Sequence, residues 1–104
     1  MITIEEIYSF LLGTTFIENN GNEIYKYRFY DKQKKVSVII NNKDIVSKIG
    51  FKVYKAGSKC ILKITPKEYE IIKAEYLENG LKQLTLILEG NDVILTEHNY
   101  KPIN

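Results

Sequence analysis

Tryptophan is absent from the 104 residues, and cysteine, histidine and arginine occur once each, as Cys60, His98 and Arg28. A lone cysteine excludes an internal disulfide and the multi-cysteine zinc sites. A single histidine leaves no His cluster for a metal and no second imidazole for acid–base work, and no cofactor is expected. No apolar run approaches the about 20 residues that a membrane-spanning helix needs. The six glycines fall in or near turns or at a strand position, so no G-x-G-x-x-G, P-loop or G-x-S-x-G arises. The opening MITIEEIYSF carries acids where an export signal needs bases, and a cytoplasmic protein is the expectation.

What is present suits one soluble domain over residues 1–104. Hydrophobic residues make up 44% and charged residues 27%, enough to fill a core at this length. Eight tyrosines dominate the aromatics. The net charge of +2 conceals an uneven layout. Residues 1–25 hold Glu5, Glu6, Glu18 and Glu23 and no base. Residues 26–67 hold twelve bases against Asp31 and Asp44, and residues 68–104 return to an acidic balance.

Thr3 to Leu12 reads as a short helix. Thr3 and Glu6 make a capping box, Ile4, Ile7, Tyr8 and Leu11 share one face, and Gly13 ends it. From there the period is two. Tyr25, Tyr27 and Phe29 oppose Lys26 and Arg28; Val36, Val38 and Ile40 follow; Ile49, Phe51 and Val53 alternate with Lys48, Lys52 and Tyr54 in one run from Ile45 to Ala56. Cys60, Leu62 and Ile64, then Leu84, Leu86 and Leu88, then Val93 and Leu95 repeat the pattern. Such alternation means strands with one buried and one wet face. Turn-forming groups separate them at roughly ten-residue intervals: Asn19-Asn20-Gly21-Asn22, Asp31 to Lys34, Asn41 to Asp44, Ala56 to Lys59, Asn79-Gly80 and Gly90-Asn91.

Residues 66–79 admit two readings. Thr65-Pro66-Lys67-Glu68 has the chemistry of a helix start. A strand from Tyr69 to Leu77 matches the length of the strand after Asn79-Gly80 and needs a bulge near Ile71-Ile72. The strand reading gives a mainly β fold: one short helix (about 3–12), about eight antiparallel strands in an up-and-down meander (about 14–98) and a short tail (99–104). Eight such strands can close into a barrel.

Leu12-Gly13-Thr14-Thr15-Phe16, then Gly50-Phe51-Lys52-Val53, Ile61-Leu62-Lys63-Ile64 and Tyr69-Glu70-Ile71, resemble the helix-to-first-strand and mid-barrel motifs of the small lipocalin-like, calycin-type barrels. Phenylalanine stands, one place late, where those domains carry tryptophan. The resemblance implies a non-enzymatic binder of a small apolar or amphipathic molecule inside the barrel, and supplies no catalytic residues.

On the residues themselves, the inward aromatic stripe of Tyr25, Tyr27 and Phe29, with Val38, Ile40, Phe51, Val53, Leu62, Leu84 and Leu86, either lines a ligand cavity or fills the core. Lys26, Arg28, Lys35, Lys48, Lys52 and Lys63 fall on the outer face, near Tyr30 and Tyr54. They are either a solvated sheet or a surface for an acidic protein partner, which makes an interaction module (inhibitor or adaptor) the alternative function. Nucleic acid is disfavoured because arginine, the preferred bidentate reader, is nearly absent. His98 reads as a surface residue and Cys60 as a structural one. Glu68, Glu70, Glu75 and Glu78 read as a solvated face. An enzyme would require a carboxylate or tyrosine of shifted pKa in a pocket, and spacing singles out none.

Overall fold

The structure, a computed structural model, describes residues 3–20 and 22–98; the tail 99–104 and Gly21 of the first turn lie outside them. Helix α1 (Ile4–Leu11) precedes nine strands: β1 (Thr15–Asn20), β2 (Glu23–Phe29), β3 (Lys35–Ile40), β4 (Lys43–Gly50), β5 (Lys52–Ala56), β6 (Lys59–Ile64), β7 (Lys67–Tyr76), β8 (Lys82–Leu88) and β9 (Asn91–Glu97). They form one antiparallel sheet in the order β4-β3-β2-β1-β9-β8-β7-β6-β5. The fold is mainly β, a meander curled into a half-barrel.

The one difference in strand number has a local cause. The run from Ile45 to Ala56 is two strands, because the chain changes partners at Phe51. β4 pairs with β3, ending at Lys35↔Gly50, and β5 pairs with β6, starting at Lys52↔Lys63. Between them the Phe51 amide donates to the Lys34 carbonyl at 3.1 Å. Covalent chain, rather than a hydrogen-bonded ladder, therefore joins the two ends of the sheet.

Elsewhere local chemistry sets the elements. Asn41 and Asn42 both take positive φ (51° and 67°), as do Glu89 and Gly90 (50° and 82°). Those are the backbone conformations of the tight turns that match strand twist. Residues 67–76 are a strand, and its register slips between Ile71 and Lys73, the bulge that the broken alternation requires. The Thr65-Pro66 bond, at the candidate helix start, is cis and lies in the β6–β7 turn.

α1 is held from three sides. Thr3 and Glu6 form the reciprocal capping box, at 3.1 Å in each direction. Gly13 has φ +77°, and a Cβ there would come within 3.3 Å of Asp31 Oδ1. The last turn of α1 has no basic residue of its own. Lys82 supplies the charge from β8: its Nζ donates to the Phe10 carbonyl at 3.0 Å and to Thr14 Oγ1 at 2.9 Å. A cation there offsets the negative end of the helix dipole.

The core lies at this helix end. Ile7, Leu11, Phe16, Val36, Leu62, Leu84 and Leu86 are fully buried, and Phe29 and Leu95 nearly so. Each large apolar side chain so buried contributes about 1.5–3 kcal/mol. Rings link the elements in series: Tyr8 to Phe51 at 5.7 Å, Phe51 to Phe29 at 5.0 Å, Phe29 to Phe16 at 5.9 Å and Phe16 to Phe10 at 6.0 Å. No helix among the described residues is long and apolar enough to cross a membrane.

One polar contact fixes the helix on the corner: the Val53 amide donates to the Tyr8 hydroxyl at 2.8 Å. Removing that oxygen leaves a buried donor without its acceptor, which costs about 1–3 kcal/mol. Tyr8→Phe should lower unfolding stability by that amount in urea, with an unchanged m-value; no loss would show that α1 does not depend on this bond.

Candidate functional site

The inward-facing positions divide along the barrel. Phe29, Phe51, Val53, Leu62, Leu84 and Leu86 belong to one buried cluster with Ile7, Phe10 and Leu11 of α1. Tyr25, Tyr27, Val38 and Ile40 lie further along the same faces, where the barrel opens away from the helix. There the structure brings them together with residues from β1, β4, β7 and the turns.

Two adjoining recesses occupy this open end. One, of about 180 Å³, is apolar: Val38, Ile40, Ile45, Val46, Ile64 and Pro66 face Tyr25, Tyr27 and Tyr69 across it. The other, of about 350 Å³, is polar, with Glu18, Asn91, Asp92 and Glu89 around the same tyrosines. Tyr25, Tyr27, Tyr69 and Lys67 line both.

Strand register explains the polar centre. Phe16 pairs with Tyr27 and Glu18 with Tyr25, so Glu18 shares the inward face of β1 with Phe16. The Tyr27 hydroxyl donates to Glu18 Oε1 at 3.5 Å, and Tyr69 lines the recess with it. Tyr25 turns its hydroxyl outward to Glu23 Oε2, at 2.7 Å, and leaves its ring to the recess. Burial pushes the Glu18 carboxyl above its usual range; the Tyr27 hydrogen bond and the Lys67 charge pull the other way. Burial likewise pushes the Tyr27 and Tyr69 hydroxyls up, so both stay protonated donors at neutral pH. The recess thus offers one inward carboxylate with two exposed acids, Glu89 and Asp92, at its rim, phenols that hold their protons, and three tyrosine rings beside an apolar wall.

Glu18 is the residue that sequence reasoning passed over. Its signal was parity: two places after Phe16, it must follow that side chain inward. The polar run Glu18-Asn19-Asn20 looked like the approach to a turn instead.

The basic residues lie as alternation places them, on the outer side. Arg28, Lys35, Lys48 and Lys52 are exposed, and Lys26 and Lys63 half-buried. Lys48 Nζ sits 5.3 Å from the Tyr30 ring and Lys52 Nζ 5.8 Å from the Tyr54 ring. Lys52 and Lys63 oppose each other directly, and Lys63 opposes Glu68 on its other side. Cys60 is half-buried against the core. His98 is half-buried just beyond β9, its amide donating to the Thr15 carbonyl at 2.8 Å. Glu68 and Glu78 are exposed, while Glu70 and Glu75 are half-buried and ion-paired with Lys59 and Lys73. Among the described residues no group of three or more His, Cys, Asp or Glu side chains is placed to hold a metal. A wider groove of about 620 Å³ runs between α1 and β7, lined by Thr3, Glu5, Glu6, Ser9, Phe10, Ala74 and Tyr76. It holds no buried ionisable group: Glu6 is fully exposed, and its hydrogen bonds to Thr3 keep its carboxyl below the usual range.

The raised Glu18 pKa makes a stability prediction with a definite sign. An acid whose folded pKa exceeds its unfolded one destabilises the fold once pH rises above the unfolded value, and the penalty vanishes below it. Tyr25, Tyr27, Tyr69, Lys67, Glu89 and Asp92 are the ionisable groups that line the recess with it. Glu18→Gln should raise the melting temperature at pH 7, with a gain that shrinks towards pH 4. Thermal unfolding of both proteins across that range checks it; a constant or inverted difference contradicts it. No protein-family model, no curated protein and no solved structure matches this chain.

Proposed function

We propose that this protein binds a small amphipathic molecule at the open end of the half-barrel. The observation that carries the reading is the pairing of two recesses on one set of tyrosines, one apolar and one polar. Binding sites are mostly apolar with a few placed polar groups, which is the composition here. An engineered cavity of about 150 Å³ admits benzene, so the 180 Å³ recess has room for one ring or a chain of about six carbons. The polar head of the ligand lies towards Glu18, Tyr27 and Tyr69.

A binding role, rather than catalysis, fits the chemistry. Glu18 and Tyr27 are the shifted carboxylate and tyrosine that an enzyme would require. The Tyr27 hydroxyl is engaged by Glu18, and among the described residues neither lining holds a serine, cysteine or histidine beside them. The lipocalin-like resemblance agrees with a ligand inside a barrel. It places that ligand no more closely than the sheet itself.

The alternative, docking of the outer basic face on an acidic partner, has less support. Lys48 and Lys52 already engage Tyr30 and Tyr54, and lysines on the end strands β4 and β5 serve to block edge-to-edge aggregation.

Native mass spectrometry of freshly purified protein, set against its denatured mass, tests the proposal. The expected result is a small adduct on the 12.1 kDa chain that disappears on denaturation. Val38→Phe, which fills the apolar recess, should abolish the adduct in a folded protein. An adduct that survives Val38→Phe would place the ligand elsewhere.

A further inference from the structure

We infer that the molecule bound at the open end carries a cationic head, an amine or quaternary ammonium, seated against Glu18 among the rings of Tyr25, Tyr27 and Tyr69. This rests on the reading of the recesses as a ligand site and goes further, to the charge of the ligand.

The first argument is an unmet charge. Glu18 faces inward and is partly desolvated, and its hydrogen-bond partner, Tyr27, is neutral. Among the described residues, no ammonium or guanidinium comes within ion-pair distance of it: the ion pairs are Lys59–Glu70 and Lys73–Glu75. Lys67 favours the charged carboxylate only from further off, with its residue exposed at the rim. A carboxylate taken from water seeks a charged or hydrogen-bonding partner, and here one donor is in place and a counter-charge is not.

The second argument is the sign of the surroundings. The chain carries net +2, yet the polar recess holds Glu18, Glu89 and Asp92 against Lys67 alone. This negative pocket lies within a protein of net positive charge. Low-dielectric walls focus such a field on whatever enters.

The third argument is the aromatic content. Three phenol rings surround the carboxylate, and ring faces attract cations, most strongly when both are desolvated. The protein already makes this contact elsewhere, with Lys34 Nζ 4.2 Å from the Tyr8 ring centroid. A carboxylate-headed ligand, by contrast, would meet Glu18 and both rim acids.

The probes are three six-carbon molecules that differ only in the head: hexylamine, 1-hexanol and hexanoate. Binding is read from NMR shifts of the wild-type protein and of Glu18→Gln at pH 7. Hexylamine should bind at least about tenfold more tightly than either other probe, the order expected of one charge-assisted hydrogen bond. Glu18→Gln should remove that preference, bringing hexylamine down to the level of 1-hexanol. Equal binding of amine and alcohol, or a preference for hexanoate, overturns the cationic head while the ligand site stands. An amine preference that persists in Glu18→Gln overturns the role of Glu18. Failure of all three probes to bind overturns the ligand site and this inference with it.

Discussion

The contact on which the rest of the molecule depends is the seating of Phe51 between Phe29 and Tyr8. The sheet has two ends, β4 and β5, and only a single residue of chain joins them. At that residue the ladder hydrogen bonds of β3 and β6 belong to different strands. What holds the corner is therefore largely side-chain packing: Phe51 meets Phe29 edge-on at an interplanar angle of 80° and Tyr8 at 44°. Edge-to-face aromatic pairs add about 0.5–1.5 kcal/mol each beyond the area they bury. The same ring series runs on through Phe16 to Phe10, so α1, β1, β2 and the corner share one aromatic cluster.

That cluster determines where space remains. Large inward side chains concentrate beneath α1, and the helix completes the seal with its own Ile7, Phe10 and Leu11. Further along the barrel the inward positions carry Val38, Ile40 and Val46, and no helix covers them. There the Tyr27 hydroxyl turns to Glu18 and the Tyr25 hydroxyl to Glu23, while both rings line the apolar recess. The Glu18 carboxyl is turned inward there, held above its usual pKa by burial and accepting from the Tyr27 hydroxyl.

Most of the architecture was legible in the sequence because it follows from local rules. Period-two alternation marks the strands, turn residues mark their ends, and a capping box marks the helix. The bulge at Ile71-Ile72 shows as a slip in the alternation. The split of the Ile45–Ala56 run was not legible, since Gly50-Phe51 looks like any strand interior. Its meaning comes from Lys34, a partner distant in sequence. The candidate site was legible by halves. Alternation identifies Tyr25, Tyr27, Val38 and Ile40 as inward, yet gives Phe29, Leu62 and Leu84 the same status. Which of them fill the core and which line a recess depends on their distance from the helix along the barrel, and a period of two carries no such information. Glu18 needed only the parity of Phe16, and its charge masked it.

The central claim is that the barrel is packed solid under the helix and receptive at the opposite end. A methyl-resolved NMR titration with 1-hexanol tests it most directly, because methyl groups report from both regions. The account predicts shifts confined to Val38, Ile40, Ile45, Val46 and Ile64, with Leu62, Leu84, Leu86 and Leu95 unmoved. Shifts centred on those leucines, or spread evenly through the barrel, would contradict it.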